Sequence, residues 1–287
     1  MVARTLGIVT VSAEELAVFR RDGVVVLRQR FDRRWLTLLS DTIDQAMADP
    51  GPNLARHSTE PDAPGYFEDY WTWNRHAGFT EFVHDSPVGE LGAALLGSAT
   101  ANLVMDNWFL REAGSRSRPP FHHDVSYFDF AGSMCVCWLP LEDVTASNGI
   151  TFARGSHLWG KHFLRVRFGD GHRVDEPDRL TLDGIEYEPP PDIESDPDAY
   201  DLVSFDLRAG DCIFFDIRTL HGSLSTVVPD TTVRRYTLRM AGPDAHIRYR
   251  GDWASEERAQ FEAAGYGPGD RLAGAFFPQL HPREGLR

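Results

Sequence analysis

Residues 119–128 read PPFHHDVSYF and place two histidines and an aspartate in consecutive positions. Residues two apart on an extended strand point the same way, so the His122 imidazole and the Asp124 carboxylate converge on one point. His123 points to the opposite face and is the weaker candidate for a metal ligand. The pair alone is weak evidence, because a surface histidine beside a solvated aspartate gives the same pattern by chance.

A third candidate ligand comes from the segment Leu220-His221-Gly222-Ser223, just after an apolar stretch at 212–217. Two histidines and one carboxylate on one face of a metal leave three coordination positions open. This is the facial triad of non-haem Fe(II) oxygenases, in which the open positions admit a bidentate co-substrate and dioxygen.

The chain around these residues divides into a helical N-terminal part and a strand-rich remainder. Ser12 and Glu15 form a capping box, which predicts a helix through about Arg21. A strand at 24–27 and helices at 33–47 and 88–96 follow. Beyond them, short segments rich in β-branched and aromatic residues are separated by Gly, Pro, Asn or Asp, which favours a sandwich or barrel. The predicted strands are 101–111, 134–139, 149–152, 211–217 and 234–240.

Five motifs together resemble the phytanoyl-CoA dioxygenase family, whose members use Fe(II) and 2-oxoglutarate. Residues 122–128, HHDVSYF, are similar to its WHQDxxYF motif. The others follow in the family's order. The N-terminal pattern of a helix, the strand at 24–27 and another helix is similar too, so the resemblance covers roughly residues 12–240. They are WLPLED at 138–143, NG at 148–149 with GSH at 155–157, AGD at 209–211 with FF at 214–215, and HGS at 221–223 with RR at 234–235.

The resemblance implies a mainly β fold with flanking helices, namely a double-stranded β-helix or jelly roll. We expect one domain over residues 1–287, with an N-terminal helical elaboration at about 12–97. The stretch 168–202 is rich in acidic residues and proline, so we interpret it as a surface insertion that could act as a lid.

The resemblance also implies roles for individual residues. His122, Asp124 and His221 match the iron ligands. Arg234 matches the arginine that holds the distal carboxylate of 2-oxoglutarate, and Ser223 matches a hydroxyl that supports it. Trp138 and Asn107 match further co-substrate contacts. The implied cofactors are Fe(II), 2-oxoglutarate and dioxygen.

The sequence departs from the family pattern at two points. His123 stands where members usually carry glutamine, and the gap from His221 to Arg234 is about two residues longer than usual, which leaves the arginine register open. Adjacent strand residues face opposite sides, so only one of Arg234 and Arg235 can point inward. Tyr236, Leu238 and Met240 share the parity of Arg234 and make its face the more apolar, so the pattern predicts Arg234 as the inward residue.

The substrate is less well defined by the sequence. The aromatic stretch at 66–73 precedes the barrel, and we expect Trp71 or Trp73 to contact substrate, although a satellite apolar cluster gives the same pattern. We favour oxidation of a small molecule, such as hydroxylation, in bacterial natural-product biosynthesis. A metal-dependent cupin isomerase, or a binding protein that does not use 2-oxoglutarate, remains the alternative.

Charge narrows the partners further. The 287 residues carry a formal net charge of −14 at pH 7, and Lys161 is the only lysine. An acidic chain binds nucleic acid poorly, because phosphate contacts dominate that affinity. The sequence therefore predicts a small-molecule substrate, neither nucleic acid nor membrane as a partner, and a cytoplasmic location. It leaves the oligomeric state open.

Overall fold

The structure, a computed structural model, describes residues 10–58, 60, 62–166, 180–182, 184–250 and 257–283. Five α-helices lie in these ranges: α1 (Ala13–Asp22), α2 (Arg33–Ala48), α3 (Ala77–Asp85), α4 (Val88–Leu96) and α5 (Arg258–Ala263). The strands of the same ranges are β1 (Val24–Leu27), β2 (Ala55–Arg56), β3 (Tyr66–Tyr70), β4 (Ala101–Arg111), β5 (Phe130–Ala131), β6 (Met134–Pro140), β7 (Thr151–Ala153), β8 (His162–Phe163), β9 (Leu180–Leu182), β10 (Ile185–Glu188), β11 (Leu202–Val203), β12 (Cys212–Asp216), β13 (His221–Gly222), β14 (Val233–Ala241), β15 (His246–Ile247) and β16 (Gln279–His281).

Two antiparallel sheets form the body of the molecule. The larger has the order β1-β12-β6-β14-β4-β3-β2, and β16 adds to β4. The smaller has the order β11-β7-β13. Phe152 of the smaller sheet packs against Phe215 of the larger one, with ring centroids 5.2 Å apart. The predicted mainly β jelly roll is confirmed.

The larger sheet is buried on both faces. Its inner face shares a core with the smaller sheet, which includes Val136 and Phe215. Its outer face is covered by the N-terminal helices. There the rings of Phe79 and Phe82 of α3 pack on the Tyr236 ring of β14, with ring centroids 4.9 and 5.5 Å apart. Strands covered on both faces carry apolar residues in both parities, so alternation no longer marks the inside.

Most predicted elements are present with small shifts at their ends. The Ser12 and Glu15 capping box is present, and α1 ends at Gly23, whose φ of 75° is the left-handed conformation that glycine adopts without strain. The sequence pattern did not predict α3, β3 or the C-terminal elements from β15 onward.

The stretch 168–202, predicted as a surface insertion, is described only in part. Residues 168–179 and 183 lie outside the described residues. In the remainder, β10 pairs with β8 and β9 in a small separate sheet, and β11 joins the smaller sheet of the body. No helix in the described ranges is long and apolar enough to span a membrane.

Candidate metal centre and its cavities

Two of the predicted ligands are joined through their backbones. His122 donates its amide N–H to the His221 carbonyl, and His221 donates to the His122 carbonyl, both at 2.8 Å. This isolated antiparallel bridge ties the segment after β4 to β13 of the smaller sheet. Asp124 opens a short 3₁₀ turn (Asp124–Tyr127), so the carboxylate reaches the same point from a turn rather than from a continuous strand.

Both imidazoles direct Nε2 toward the Asp124 carboxylate. His122 Nδ1 lies 2.8 Å from the Pro120 carbonyl, and His221 Nδ1 lies 2.9 Å from the Thr219 carbonyl. A carbonyl only accepts hydrogen bonds, so Nδ1 carries the proton and Nε2 carries the lone pair. Asp124 Oδ1 lies 3.3 Å from His122 Nε2 and 3.6 Å from His221 Nε2.

The surroundings of His221 and Asp124 favour their unprotonated forms. Burial and, in smaller part, the neighbouring His122 lower the pKa of His221 to about 3. Burial by itself raises the pKa of Asp124, but the Arg239 guanidinium and the two imidazoles outweigh it and hold that pKa well below its usual range. Neutral histidine and ionised carboxylate are the forms that bind metal.

The cluster therefore fits a metal ion on the chemistry of its donors. One atom from each of His122, Asp124 and His221 lies within 4.8 Å of the others, and all three residues are buried. Two imidazole nitrogens and one carboxylate oxygen match the facial triad of non-haem iron.

Arg239 holds the other oxygen of the ligating carboxylate. Its Nε donates to Asp124 Oδ2 at 2.8 Å, and its Nη1 donates to Asn107 Oδ1 at 2.5 Å. Arg239 lies on the face of β14 that the parity argument took as the outward one, yet its side chain is only 11% exposed. The sequence indicated this position only through parity, because Arg239 shares a strand face with Arg235 and Thr237.

His123 points away from the cluster, as its position between two converging residues predicts. Its Nε2 lies 3.2 Å from the Phe163 amide nitrogen. Burial lowers the pKa of His123 to about 3, so it is a neutral core histidine.

Two motif residues position His221 without touching the metal site. Ser156 Oγ accepts the Leu220 amide at 2.8 Å and so fixes the residue before the ligand. Gly222 is required by close packing, because a Cβ there would lie 2.8 Å from the Phe121 backbone.

A first cavity opens on one side of the triad. Its lining includes Trp138, Ser223 and Arg235 as well as the three ligands. The Arg235 guanidinium lies over the Trp138 ring at 5.4 Å, and its Nη1 donates to Glu142 Oε2 at 2.6 Å. Ser223 and Trp138, for which the resemblance implies co-substrate contacts, thus line the same cavity as Arg235.

The prediction that Arg234 points into the barrel is wrong. Arg234 faces the helical layer, where its guanidinium pairs with Asp44 of α2 at 2.7 Å. Tyr236, Leu238 and Met240 share its face and belong to the core beneath the helices. That face is apolar because the helices bury it, whereas the inner face is polar because it lines the cavity.

A second cavity meets the first at the triad. Phe109, His122, Asp124 and Arg239 line both cavities. Asn107 lines the second cavity and not the first. Asn107, predicted as a co-substrate contact, therefore lies on the other side of the triad from Arg235.

Neither tryptophan predicted to contact substrate lines these two cavities. Trp71 is 8% exposed and donates its indole N–H to the Val104 carbonyl at 2.9 Å. Trp73 packs against the helix-side core, with its ring centroid 5.7 Å from that of His84. The strand just before them supplies the lining instead, through Tyr66, Glu68 and Tyr70 of β3.

Comparison with known proteins agrees with this geometry. The family model of phytanoyl-CoA dioxygenase matches residues 19–230. The chain belongs to the phytanoyl-CoA dioxygenase family. No curated protein sequence matches it significantly.

Solved structures similar to this family member include three with described reactions or ligands. SnoK, an alpha ketoglutarate dependent carbocyclase from nogalamycin biosynthesis, shares 19% identity with a TM-score of 0.69, covering 94% of this chain and 97% of its own. SnoN, an epimerase in complex with Fe3+, alpha ketoglutarate and nogalamycin RO, shares 21% sequence identity with a TM-score of 0.70. The match covers 93% of this chain and 97% of SnoN. EctD from S. alaskensis, with 2-oxoglutarate and 5-hydroxyectoine, shares 18% sequence identity with a TM-score of 0.63. The match covers 84% of this chain and 79% of EctD. At these identities the similarity establishes the fold, and the iron and 2-oxoglutarate of these structures agree with the implied cofactors.

Proposed function

We propose that this chain is an Fe(II)- and 2-oxoglutarate-dependent oxygenase that hydroxylates, or otherwise oxidises, a small molecule. The observation that supports it is the buried triad of His122, Asp124 and His221, which opens into a cavity lined by the inward Arg235. A facial triad alone suits several metalloenzymes, whereas a buried arginine beside it suits a dicarboxylate co-substrate.

The residues of the chain have distinct tasks in this reaction. His122 Nε2, His221 Nε2 and Asp124 would hold the iron, which supplies the activation of dioxygen at the expense of 2-oxoglutarate. Arg235 would bind the distal carboxylate, and the Ser223 hydroxyl would support it. Both hydrogen bonds that the Arg235 guanidinium makes within the described part of the chain leave from Nη1, so Nε and Nη2 stay available for a carboxylate.

A role in natural-product biosynthesis is the finer part of the proposal. It is supported by the similarity to SnoK and SnoN, which belong to nogalamycin biosynthesis. Those two proteins are a carbocyclase and an epimerase, so the outcome proposed here extends from hydroxylation to ring formation or epimerisation.

Anaerobic titration tests the proposal directly. Addition of Fe(II) and then 2-oxoglutarate should give a visible charge-transfer band, because the keto acid chelates the metal. His221→Ala should remove the band together with succinate formation, and the surface variant Arg234→Ala should keep both. Iron binding without a band, and without any dependence on 2-oxoglutarate, would overturn the proposal in favour of a cupin that does not use the keto acid.

A further inference from the structure

The second cavity has one wall made by three adjacent strands. In this sheet Glu68 of β3 lies opposite Ala55 of β2 on one side and Phe109 of β4 on the other. Tyr70 of β3 lies opposite Asn107 of β4. Strand residues two apart share a face, and all five of these line the second cavity.

Glu68 is the acidic residue of this wall. It lies in the middle strand, so its short side chain has little access to bulk water, and only 16% of it is exposed. His57 Nε2 lies 2.9 Å from Glu68 Oε1 and fixes the orientation of the carboxylate. Oε2 has no hydrogen bond to another described residue, and Glu68 lines the second cavity, so this oxygen can accept a hydrogen bond from a ligand.

The negative charge of Glu68 extends across the cavities. Burial raises the pKa of the Tyr66 hydroxyl, and the Glu68 charge raises it further. The pKa of Tyr127 is also raised, first by burial and in smaller part by Glu68. Tyr127 also lines the second cavity, so the charge of Glu68 acts across that cavity.

Two other charged residues that line this cavity pair with each other. Arg165 and Glu257 form an ion pair at 3.4 Å and are 11% and 7% exposed. Arg165 also lies over the Tyr127 ring at 4.9 Å. Among the carboxylates that line this cavity, Asp124 and Glu257 each pair with an arginine, whereas Glu68 pairs only with a histidine among the described residues.

We infer that the substrate carries a hydrogen-bond donor, an ammonium or a hydroxyl group, and that Glu68, oriented by His57, binds it in the second cavity. This inference rests on the proposed function, because it assigns the second cavity to the substrate and the first to 2-oxoglutarate. A purely hydrocarbon chain offers no donor and would leave the Glu68 carboxylate desolvated. Glu68 thus selects polar substrates.

The inference can be tested with probes that differ in one group. The Mn(II)-loaded protein with 2-oxoglutarate is titrated with cyclohexylamine, cyclohexanol and cyclohexyl methyl ether, and paramagnetic relaxation of the probe protons reports binding near the metal. The amine or the alcohol should bind about tenfold more tightly than the ether, which accepts but does not donate. Glu68→Leu should abolish that preference.

The variants separate the two donors and supply the controls. Glu68→Gln removes the charge and keeps an acceptor, so it should weaken binding of an ammonium strongly and of a hydroxyl little. The exposed Glu14→Gln is the matched control and should change nothing. The charge-transfer band of the Fe(II) form shows separately that Glu68→Leu is folded and binds 2-oxoglutarate.

Three outcomes decide the matter. Equal binding of all three probes by the wild-type protein, no relaxation of any probe at its solubility limit, or an unchanged donor preference in Glu68→Leu would each overturn the inference, while an intact band would leave the proposed function standing. A wild-type protein that lacks the band fails the proposed function itself.

Discussion

Among single residues, Arg235 has the most direct consequence for the co-substrate. Its guanidinium lies inside the first cavity, stacks on Trp138 and is oriented by Glu142. Arg234, one residue earlier, pairs with Asp44 outside, and the Asp44 side chain is 52% exposed. An exposed ion pair contributes little, whereas truncating one partner of a buried charge pair costs about 2–5 kcal/mol.

We therefore expect Arg235→Ala to raise the dissociation constant for 2-oxoglutarate at least about tenfold, since about 1.4 kcal/mol corresponds to one decade. Arg234→Ala should leave it nearly unchanged. Anaerobic titration of the charge-transfer band in both variants measures this. A large shift in Arg234→Ala with none in Arg235→Ala would contradict the assignment.

At the scale of elements, Asp106 of β4 links three parts of the molecule. It is fully buried and accepts hydrogen bonds from the amide and hydroxyl of Thr72, which follows β3, and from the Tyr236 hydroxyl of β14. Burial raises its pKa to about 6, against the opposing effect of these hydrogen bonds.

This raised pKa makes the free energy of unfolding depend on pH. Between about pH 4 and pH 6 the folded state keeps the Asp106 proton while the unfolded chain has lost it, so this contribution to the free energy of unfolding falls as pH rises. The loss is on the order of 3 kcal/mol and is complete above the folded pKa.

Asp106→Asn should remove that component. Its free energy of unfolding relative to the wild-type protein should rise from pH 4 to pH 6, as measured by urea denaturation at several pH values. The exposed Asp85→Asn is the control. A difference between Asp106→Asn and wild type that does not vary with pH would show that Asp106 titrates alike in both states.

For the whole molecule, the metal centre is a cross-link between segments far apart in sequence. His122 and Asp124 follow β4 of the larger sheet, and His221 lies in β13 of the smaller one. A ligand that binds only the folded state stabilises it by about 2.7 kcal/mol at a hundredfold excess over its dissociation constant. Metal binding should therefore stabilise the packing of both sheets together.

Mn(II) with 2-oxoglutarate should accordingly raise the melting temperature of the wild-type protein by roughly 5 °C. His221→Ala should show no such rise, and His123→Ala should melt lower without ligand yet still respond, because its side chain packs on Phe163 and not on the metal site. Thermal denaturation of the three proteins with and without ligand checks this. An equal rise in His221→Ala would place the metal elsewhere.

The local sequence determined the elements and the identity of the triad. Each of these features depends on residues only a few positions apart in sequence. Examples are the capping box at Ser12, the strand at 24–27 and the spacing of His122 and Asp124. The motifs around His221 added the third ligand, and the structure brings all three together. The motifs indicated the family, and the jelly roll was implied by the resemblance to that family.

Only the tertiary structure decided which faces and side chains form the cavities. Arg234 was predicted to point inward because its face is apolar, yet α2 and α3 bury that face and the polar face of Arg235 lines the cavity. Glu68 and His57 meet across β2 and β3, a contact that no spacing in the sequence indicates. The physical reason is that β14 is covered on both faces, by helices on one side and by a polar cavity on the other, so what packs against it sets its inward side.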